Sequence, residues 1–236
     1  MKPMISVIIP TLNEEKYLGM TLNALKNQDY KGEYEIIVAD GMSKDKTVEI
    51  AKKYADKIIQ VKKRGIAVGR NAGDRIAKGE ILVFVDADTI LLFNALKEVS
   101  KAFRRKKVVG AACPAIPLSS KARDFAIYWS LNEFVKRSIK LKTPQVPGFF
   151  CAYRKKAFEE VNGFDERLKV LEDYDLSKRI SKLGEIVFLD NTLVFTSQRR
   201  IEKWGRMKAI RKYLKIYFSY LLKGKNFKIN DYRPIR

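Results

Sequence analysis

Short β-branched runs alternate with amphipathic stretches through the first half of the chain, and the two periods predict a βαβ succession. Residues 5–9 form an apolar run closed by Pro10 and read as a first strand. Residues 15–27 carry Leu18, Leu22 and Leu25 at helical spacing. A second strand is predicted over 35–39, ended by Asp40-Gly41-Met42-Ser43, with Ser43 as N-cap of a helix over about 44–55. A third strand over 57–61, a helix over 66–78 stopped by Gly79, and a buried strand over 80–85 follow. Farther on, the pattern predicts a helix near 93–103, an apolar strand near 108–113 and an aromatic-rich amphipathic segment over 125–141. A strand over 149–153 and a helix ending near Gly163 complete it. Such alternation predicts an α/β protein, a mixed, mainly parallel sheet flanked by helices, compact to about Ser197. Residues 198–236 then form a basic amphipathic C-terminal helical tail.

Composition narrows the chemistry. The 236 residues include 48 Lys and Arg against 27 acids, a formal net charge of +21, so the surface attracts polyanions, phosphorylated small molecules or anionic lipid. Histidine is absent. Its absence removes a Ser-His-Asp triad, a His-bearing zinc site and a histidine general base, leaving carboxylates, Lys, Tyr and Cys for acid–base work. Cys113 and Cys151 lie in apolar surroundings and are too few for a zinc cage or a disulfide framework, so a reduced, cytoplasmic protein is expected. No apolar run reaches the length of a signal peptide or a membrane span.

The run over 80–85 ends abruptly in Asp86-Ala87-Asp88. Carboxylates at the carboxyl end of a parallel strand stand where open α/β sheets bind ligands. On an extended chain Asp86 and Asp88 face one side, roughly 6–7 Å apart, and two like charges so close ask for a cation. Oxygen ligands suit Mg2+ or Mn2+, with substrate phosphate and water completing the shell. A helix-capping aspartate pair is the plainer alternative for an isolated motif of this length. Thr11, Asn13 and Glu14 after the first strand, and Asp40 after the second, bring polar groups to the same sheet edge. This convergence favours a nucleotide-sugar crevice, and neither GxGxxG nor P-loop spacing is present.

Five blocks carry a resemblance to a known family. Val7-Ile8-Ile9-Pro10-Thr11-Leu12-Asn13-Glu14-Glu15, Val38-Ala39-Asp40-Gly41-Met42-Ser43-Lys44-Asp45-Lys46-Thr47, Gly69-Arg70-Asn71-Ala72-Gly73, Asp86-Ala87-Asp88 and Leu171-Glu172-Asp173-Tyr174-Asp175-Leu176 resemble, in order and spacing, those of family 2 glycosyltransferases. The resemblance implies a GT-A fold over 1–197, with a nucleotide half at about 1–113 and an acceptor half at about 114–197. It also implies an inverting transfer from a UDP- or GDP-sugar with a divalent metal. By position, Pro10, Thr11, Glu14 and Asp40 would contact the nucleoside, Arg70 would lie near the nucleotide, Asp88 would ligate the metal, and Asp86 would stand nearer the ribose beside it. Turn formation by Asp40 and a solvated Arg70 are the alternatives from residue chemistry alone. One of Glu172 and Asp173 would be the general base, Asp173 being favoured. Without the family pattern Asp173 reads as an N-cap, and Asp175 pairs with Arg179. Relatives often add a late histidine to the metal; here Thr196, Gln198 or water would have to serve.

In the tail, Met207, Ile210, Leu214, Tyr217 and Leu221 recur at helical spacing among Arg206, Lys208, Arg211, Lys212 and Lys215. This stripe either packs on the catalytic domain or lies on an anionic membrane through 204–222. Tyr128, Trp129 and Phe134 form an acceptor side or ordinary core. The expected acceptor is a hydroxyl on a glycan or a lipid-linked molecule, reached from the cytoplasmic face of the membrane. A polyisoprenyl phosphate, as in the dolichyl-phosphate sugar synthases, is the alternative, less favoured because a phosphate needs little help from a base. A basic nucleic-acid-binding protein is the competing class; no motif of that kind is visible, and no nucleic acid is expected.

Overall fold

The computed structural model describes residues 2–223, apart from the side chains at 200, 201, 206, 210, 221 and 223. Its first half runs β1 (Ile5–Thr11), α1 (Leu18–Lys26), β2 (Tyr34–Asp40), α2 (Thr47–Ala51), β3 (Lys57–Gln60), α3 (Ile66–Ile76) and β4 (Ile81–Val85). Next come β5 (Thr89–Leu91), α4 (Ala95–Phe103), β6 (Val108–Ala112), β7 (Ala115–Pro117), α5 (Ala122–Lys140), β8 (Phe150–Arg154) and α6 (Lys155–Glu160). The chain continues through α7 (Glu172–Ile180), β9 (Glu185–Phe188), β10 (Val194–Thr196), α8 (Arg199–Trp204) and α9 (Arg206–Lys223). The main sheet has the order β3-β2-β1-β4-β8-β6-β9, and β5-β10-β7 form a smaller one. All main-sheet pairs are parallel except those of β8, which runs against β4 and β6. The order turns back between β1 and β4, so a crevice opens at their carboxyl ends, where ligands bind in sheets of this type.

Strands β1 and β4 are buried on both faces. Val7, Ile9, Val83 and Val85 pack with Leu18, Leu22 and Val99, while Ile8, Leu82 and Phe84 pack with Phe158, Phe164 and Ile180. The Phe84 ring lies 5.0 Å from Phe164 and 5.2 Å from Phe158, and each such ring contributes about 1.5–3 kcal/mol by leaving water. Helix α3 lies close on β1 because Gly69 and Gly73 share one face. A Cβ at Gly73 would meet Ile8 Cγ2 at 2.3 Å, and one at Gly69 would meet Pro10 Cβ at 3.1 Å. That close approach brings Arg70 to the sheet edge.

Several local expectations are corrected. Ser43 does not cap a helix: α2 starts only at Thr47, and Ser43 turns its hydroxyl to Asp40. Gly79 does not stop α3, which ends at Ile76 with Ala77 already extended. A Cβ at Gly79 would meet Ser6 N at 2.4 Å, so the glycine serves a close crossing of backbones. Crossing there, Gly79 N donates to Ser6 Oγ, which donates to the buried Glu35. In the helical extension Ala209, Ile216 and Tyr220 are buried and Tyr220 Oη donates to Asp175 Oδ1 at 3.0 Å. Of the stripe expected either to pack on the domain or to lie on a membrane, Met207 and Leu214 are exposed, as are Phe218 and Leu222; the Ile210 and Leu221 side chains lie outside the described residues. On α5, Tyr128 and Val135 join the core while Phe125, Trp129 and Phe134 are exposed. Among the described residues no helix is long and apolar enough to cross a membrane.

Candidate active site

Thr11 and Asp40 are register partners at the ends of β1 and β2. Thr11 Oγ1 donates to Asp40 Oδ1 at 3.0 Å, Ser43 Oγ to the same oxygen at 2.5 Å, and Ser43 N to Oδ2 at 2.9 Å. Asp40, fully buried, therefore shapes its own turn at the carboxyl edge of the sheet. The two loops are laced together: Asn13 N donates to Ser43 Oγ, Lys44 N to Asn13 Oδ1, and Glu14 N to Thr47 Oγ1. Asn13 and Met42 hold φ values of 55° and 66°, left-handed conformations that persist where surrounding contacts over-determine them. Pro10, half-buried, lies under Gly69 of α3.

Asp86 and Asp88 occupy the turn between β4 and β5 rather than an extended chain. Each faces an arginine of the protein. Asp86 Oδ1 accepts from Arg70 Nη2 at 2.9 Å. Asp88 Oδ2 lies 3.0 Å from Arg199 Nε and also accepts from Ser197 Oγ. The same Arg199 forks onto Glu14, with Nη1 to Oε2 at 2.6 Å and Nη2 to Oε1 at 2.9 Å. Burial would lower the Arg199 pKa, but Glu14 and Asp88 hold it above its ordinary value.

Arg70 is the buried centre of the other half of the site. Besides Asp86, its guanidinium donates to Glu172 Oε1 at 3.0 Å and to the Gly148 carbonyl at 2.7 Å, and it lies 5.1 Å from the Phe164 ring. It is not solvated, and its charge is directed at protein carboxylates. Burial pulls its pKa down, and the charges of Asp86 and Glu172 more than offset this. Gly148 N donates to Asp173 Oδ2 at 2.7 Å, so one glycine joins Arg70 through its carbonyl and Asp173 through its amide. Asp86 N donates to the Phe149 carbonyl, which ties the aspartate turn to the same segment.

Helix α7 opens on Leu171 at φ 59° with Glu172, Asp173 and Asp175 in its first turn, where the helix dipole favours carboxylates. Asp173 is thus inside the helix, not its N-cap. Its Oδ1 accepts from Tyr174 N and it is half-buried. Glu172 is buried, and its pKa is pushed up to about 7 by burial first and then by Asp173, against the pull of Arg70. Asp175 pairs with Arg179 at 2.7 Å as its spacing foretells.

Nearly every residue singled out from sequence thus joins one linked edge of the sheet. For a divalent cation the fit is partial but specific. Among the described residues no group of three or more Asp, Glu, Cys or His surrounds one point, so the protein offers no full cage. Asp86 and Asp88 suit instead an ion carried in with a diphosphate, the way Mg2+ is commonly held by one or two carboxylates. Thr196 Oγ1 meets Thr89 Oγ1 at 3.3 Å, and Gln198 is buried with Nε2 unpartnered. Ser197 and Arg199, which do touch Asp88, were not singled out because Arg199 reads as the first of a basic tail.

The chain matches the family model described as Glycosyl transferase family 2 over residues 6–161. It is 37% identical over 102 residues to the poly(ribitol-phosphate) beta-N-acetylglucosaminyltransferase TarS of Staphylococcus aureus, covering 40% of this chain and 18% of that protein. It is 28% identical over 197 residues to the O-antigen chain rhamnosyltransferase RfbN of Salmonella typhimurium, covering 76% of this chain and 62% of the other. The chain therefore spans less than two-thirds of these curated relatives. Among solved structures, S. aureus TarS 1–349 in complex with UDP-GlcNAc aligns with a TM-score of 0.69 at 24% identity, over 83% of this chain and 59% of that one. The mannosyltransferase PcManGT from Pyrobaculum calidifontis, in complex with GDP-Man and Mn2+, aligns with a TM-score of 0.68 at 20% identity, over 95% and 71%. These likenesses show the GT-A fold. With the family model matched over well more than half its length, the chain belongs to glycosyl transferase family 2.

Proposed function

We propose that this chain is an inverting glycosyltransferase that moves a sugar from a UDP- or GDP-sugar to a hydroxyl on a glycan or lipid-linked acceptor. The observation that carries the reading is the convergence on one sheet edge of the Thr11–Asp40 pair, the Asp86–Asp88 turn and Asp173, the last two joined through Arg70 and Gly148. The donor class is supported by the UDP-GlcNAc and GDP-Man complexes of its structural neighbours. Asp40 would accept the imino hydrogen of the base, beside Thr11 and Pro10. Asp88 and Asp86 would hold Mg2+ or Mn2+, which supplies Lewis-acid neutralisation of charge on the leaving diphosphate.

Asp173 suits the general base. Its carboxylate is half-buried, oriented by two backbone amides, whereas Glu172 is enclosed and pinned to Arg70. Asp173 takes the proton of the acceptor hydroxyl as that oxygen attacks the anomeric carbon. The bond to the diphosphate breaks on the opposite face, and the configuration inverts. Glu172 is the counter-ion that positions Arg70.

Release of nucleoside diphosphate in a coupled assay tests this. Asp173→Asn should lower kcat by about 10²–10⁴-fold while nucleotide affinity stays within about twofold. Turnover retained within about tenfold would remove Asp173 from the base role.

The acceptor side would work from an anionic membrane on its cytoplasmic face. Support comes from α9, where Met207, Leu214, Phe218 and Leu222 are exposed alongside Lys208, Arg211 and Lys215, an apolar arc edged with positive charge.

A further inference from the structure

Helix α9 rests on the helix that carries Asp173, and tyrosines make the contact. The Tyr174 ring of α7 lies 5.7 Å from that of Tyr217 and, edge-on, 5.4 Å from that of Tyr220. Tyr220 Oη donates to the buried Asp175, which in turn holds Arg179. Tyr217 also reaches a different piece of backbone, because its Oη accepts from Gln145 Nε2 at 3.4 Å. Gln145 opens the segment 145–148 between α5 and β8, which lies in no strand. Its amides therefore go to side chains: Gln145 N donates to Ser138 Oγ at 3.0 Å, Val146 N to Ser177 Oγ at 3.3 Å and Gly148 N to Asp173 Oδ2 at 2.7 Å. Ser177 Oγ itself donates to the Asp173 carbonyl at 2.7 Å. The Asp173 carboxylate is thus oriented from two sides, by Tyr174 N on Oδ1 and by Gly148 N on Oδ2.

We infer that Tyr217 of α9 is a positioning residue for the general base, bracing α7 and the segment 145–148 against each other so that Asp173 keeps its aim. The inference rests on the reading of Asp173 as base given above. The two amides hold the carboxylate in one orientation as long as the backbones that bear them keep their distance. Tyr217 touches both, Tyr174 with its ring and Gln145 with its hydroxyl. Tyrosine suits the place because its ring packs while its hydroxyl meets a polar partner. Loosening this brace leaves each amide intact but lets the carboxylate wander, and a misplacement of about 1 Å costs up to about 10²-fold in rate. The nucleoside and aspartate-turn residues take no part in it, so donor binding is spared. By this reading α9 belongs to the catalytic machinery through the base, although its sequence reads as a basic tail.

A residue that acts through Asp173 loses its effect once Asp173 can no longer serve, and a double-mutant cycle reads this. The full chain, Tyr217→Ala and Tyr217→Phe are each compared in the wild-type and Asp173→Asn backgrounds. UDP-GlcNAc and GDP-mannose serve as donors, water serves as acceptor, and release of nucleoside diphosphate gives kcat and KM. Tyr217→Ala should lower kcat by about tenfold or more with donor KM within about twofold, and in Asp173→Asn it should change the residual rate by less than about twofold. Tyr217→Phe, which keeps the ring and the fold should the alanine variant not, should lose several-fold in kcat, and that loss should likewise vanish in Asp173→Asn. The same factor of loss in both backgrounds, kcat within about twofold of wild type in both Tyr217 variants, or a loss that falls on donor KM overturns the inference. Asp173→Asn that keeps turnover within about tenfold overturns the base reading instead, and wild type that releases neither nucleotide overturns the donor reading; the inference falls with either.

Discussion

Replacing Arg70 with methionine keeps most of the buried volume and removes the charge that Asp86, Glu172 and the Gly148 carbonyl share. Glu172 has 8% of its side chain exposed and Asp86 has 30%, so water can rescue the second carboxylate far better than the first. Losing the donors should cost about 3 kcal/mol near neutral pH, or roughly 6–12 °C in Tm for a chain of this size. The pH dependence is the sharper part. Burial and Asp173 already push Glu172 from 4.5 up to about 7, so the folded protein binds that proton more readily than the unfolded chain. Stability from this group is therefore greatest at low pH and falls as pH rises from about 4.5 to about 7, where wild type levels off. Without Arg70 the pKa rises further and the decline continues, at about 1.4 kcal/mol per pH unit. Between about pH 7 and 8.5 the gap between variant and wild type should widen by up to ~2 kcal/mol. Urea unfolding at about pH 6, 7 and 8.5 measures it, with Arg70→Met/Glu172→Gln as control, since that pair should flatten the slope. A gap that is constant in pH, or a slope that survives Glu172→Gln, refutes the buried-pair account.

Gly148→Ala would put a Cβ 2.7 Å from Arg70 Nη2 and 3.0 Å from Asp173 Oδ2. It should destabilise by about 1–3 kcal/mol and cut turnover by about tenfold or more, read by melting and by product release. Tyr220→Phe removes the donor to the buried Asp175 and should cost about 1–2 kcal/mol in urea unfolding; no loss would mean that α9 is not docked as described. Replacing Lys208, Arg211 and Lys215 by alanine should weaken co-sedimentation with anionic vesicles by about 10²-fold, at about 1 kcal/mol per charge. Unchanged sedimentation would remove the membrane contact.

The strands of the first half, and the polar strand ends that share one sheet edge, were legible because both rest on local pattern. Runs such as Ile81–Val85 are buried on both faces, and a parallel sheet brings Thr11, Asp40 and Asp86 to one edge by construction. Single-residue assignments that depended on distant partners were not legible. Ser43 reads as a cap until Asp40 and Asn13 claim it, and Gly79 reads as a helix stop until Ser6 crosses it. The aspartate pair asks for positive charge because like charges two residues apart repel, and the arginines that α3 and the segment after β10 bring to it left no local signal. Arg199 left no local trace, since its partners lie in the first 90 residues and its neighbours in sequence are those of a basic tail. The packing face of α9 was not legible for a related reason: the helix carries apolar residues on two sides, and only contact with Tyr174 and Asp175 selects the one with Ile216 and Tyr220.

Calorimetric titration of UDP and GDP, with Mn2+ and with EDTA, into wild type, Asp40→Asn and Asp88→Ala tests the donor site most directly. One of the two nucleotides should bind saturably with Mn2+, weaken by at least about tenfold in EDTA or in Asp88→Ala, and weaken through base recognition in Asp40→Asn. Binding of neither nucleotide to wild type, or binding indifferent to both substitutions, would contradict a nucleotide-sugar crevice at this sheet edge.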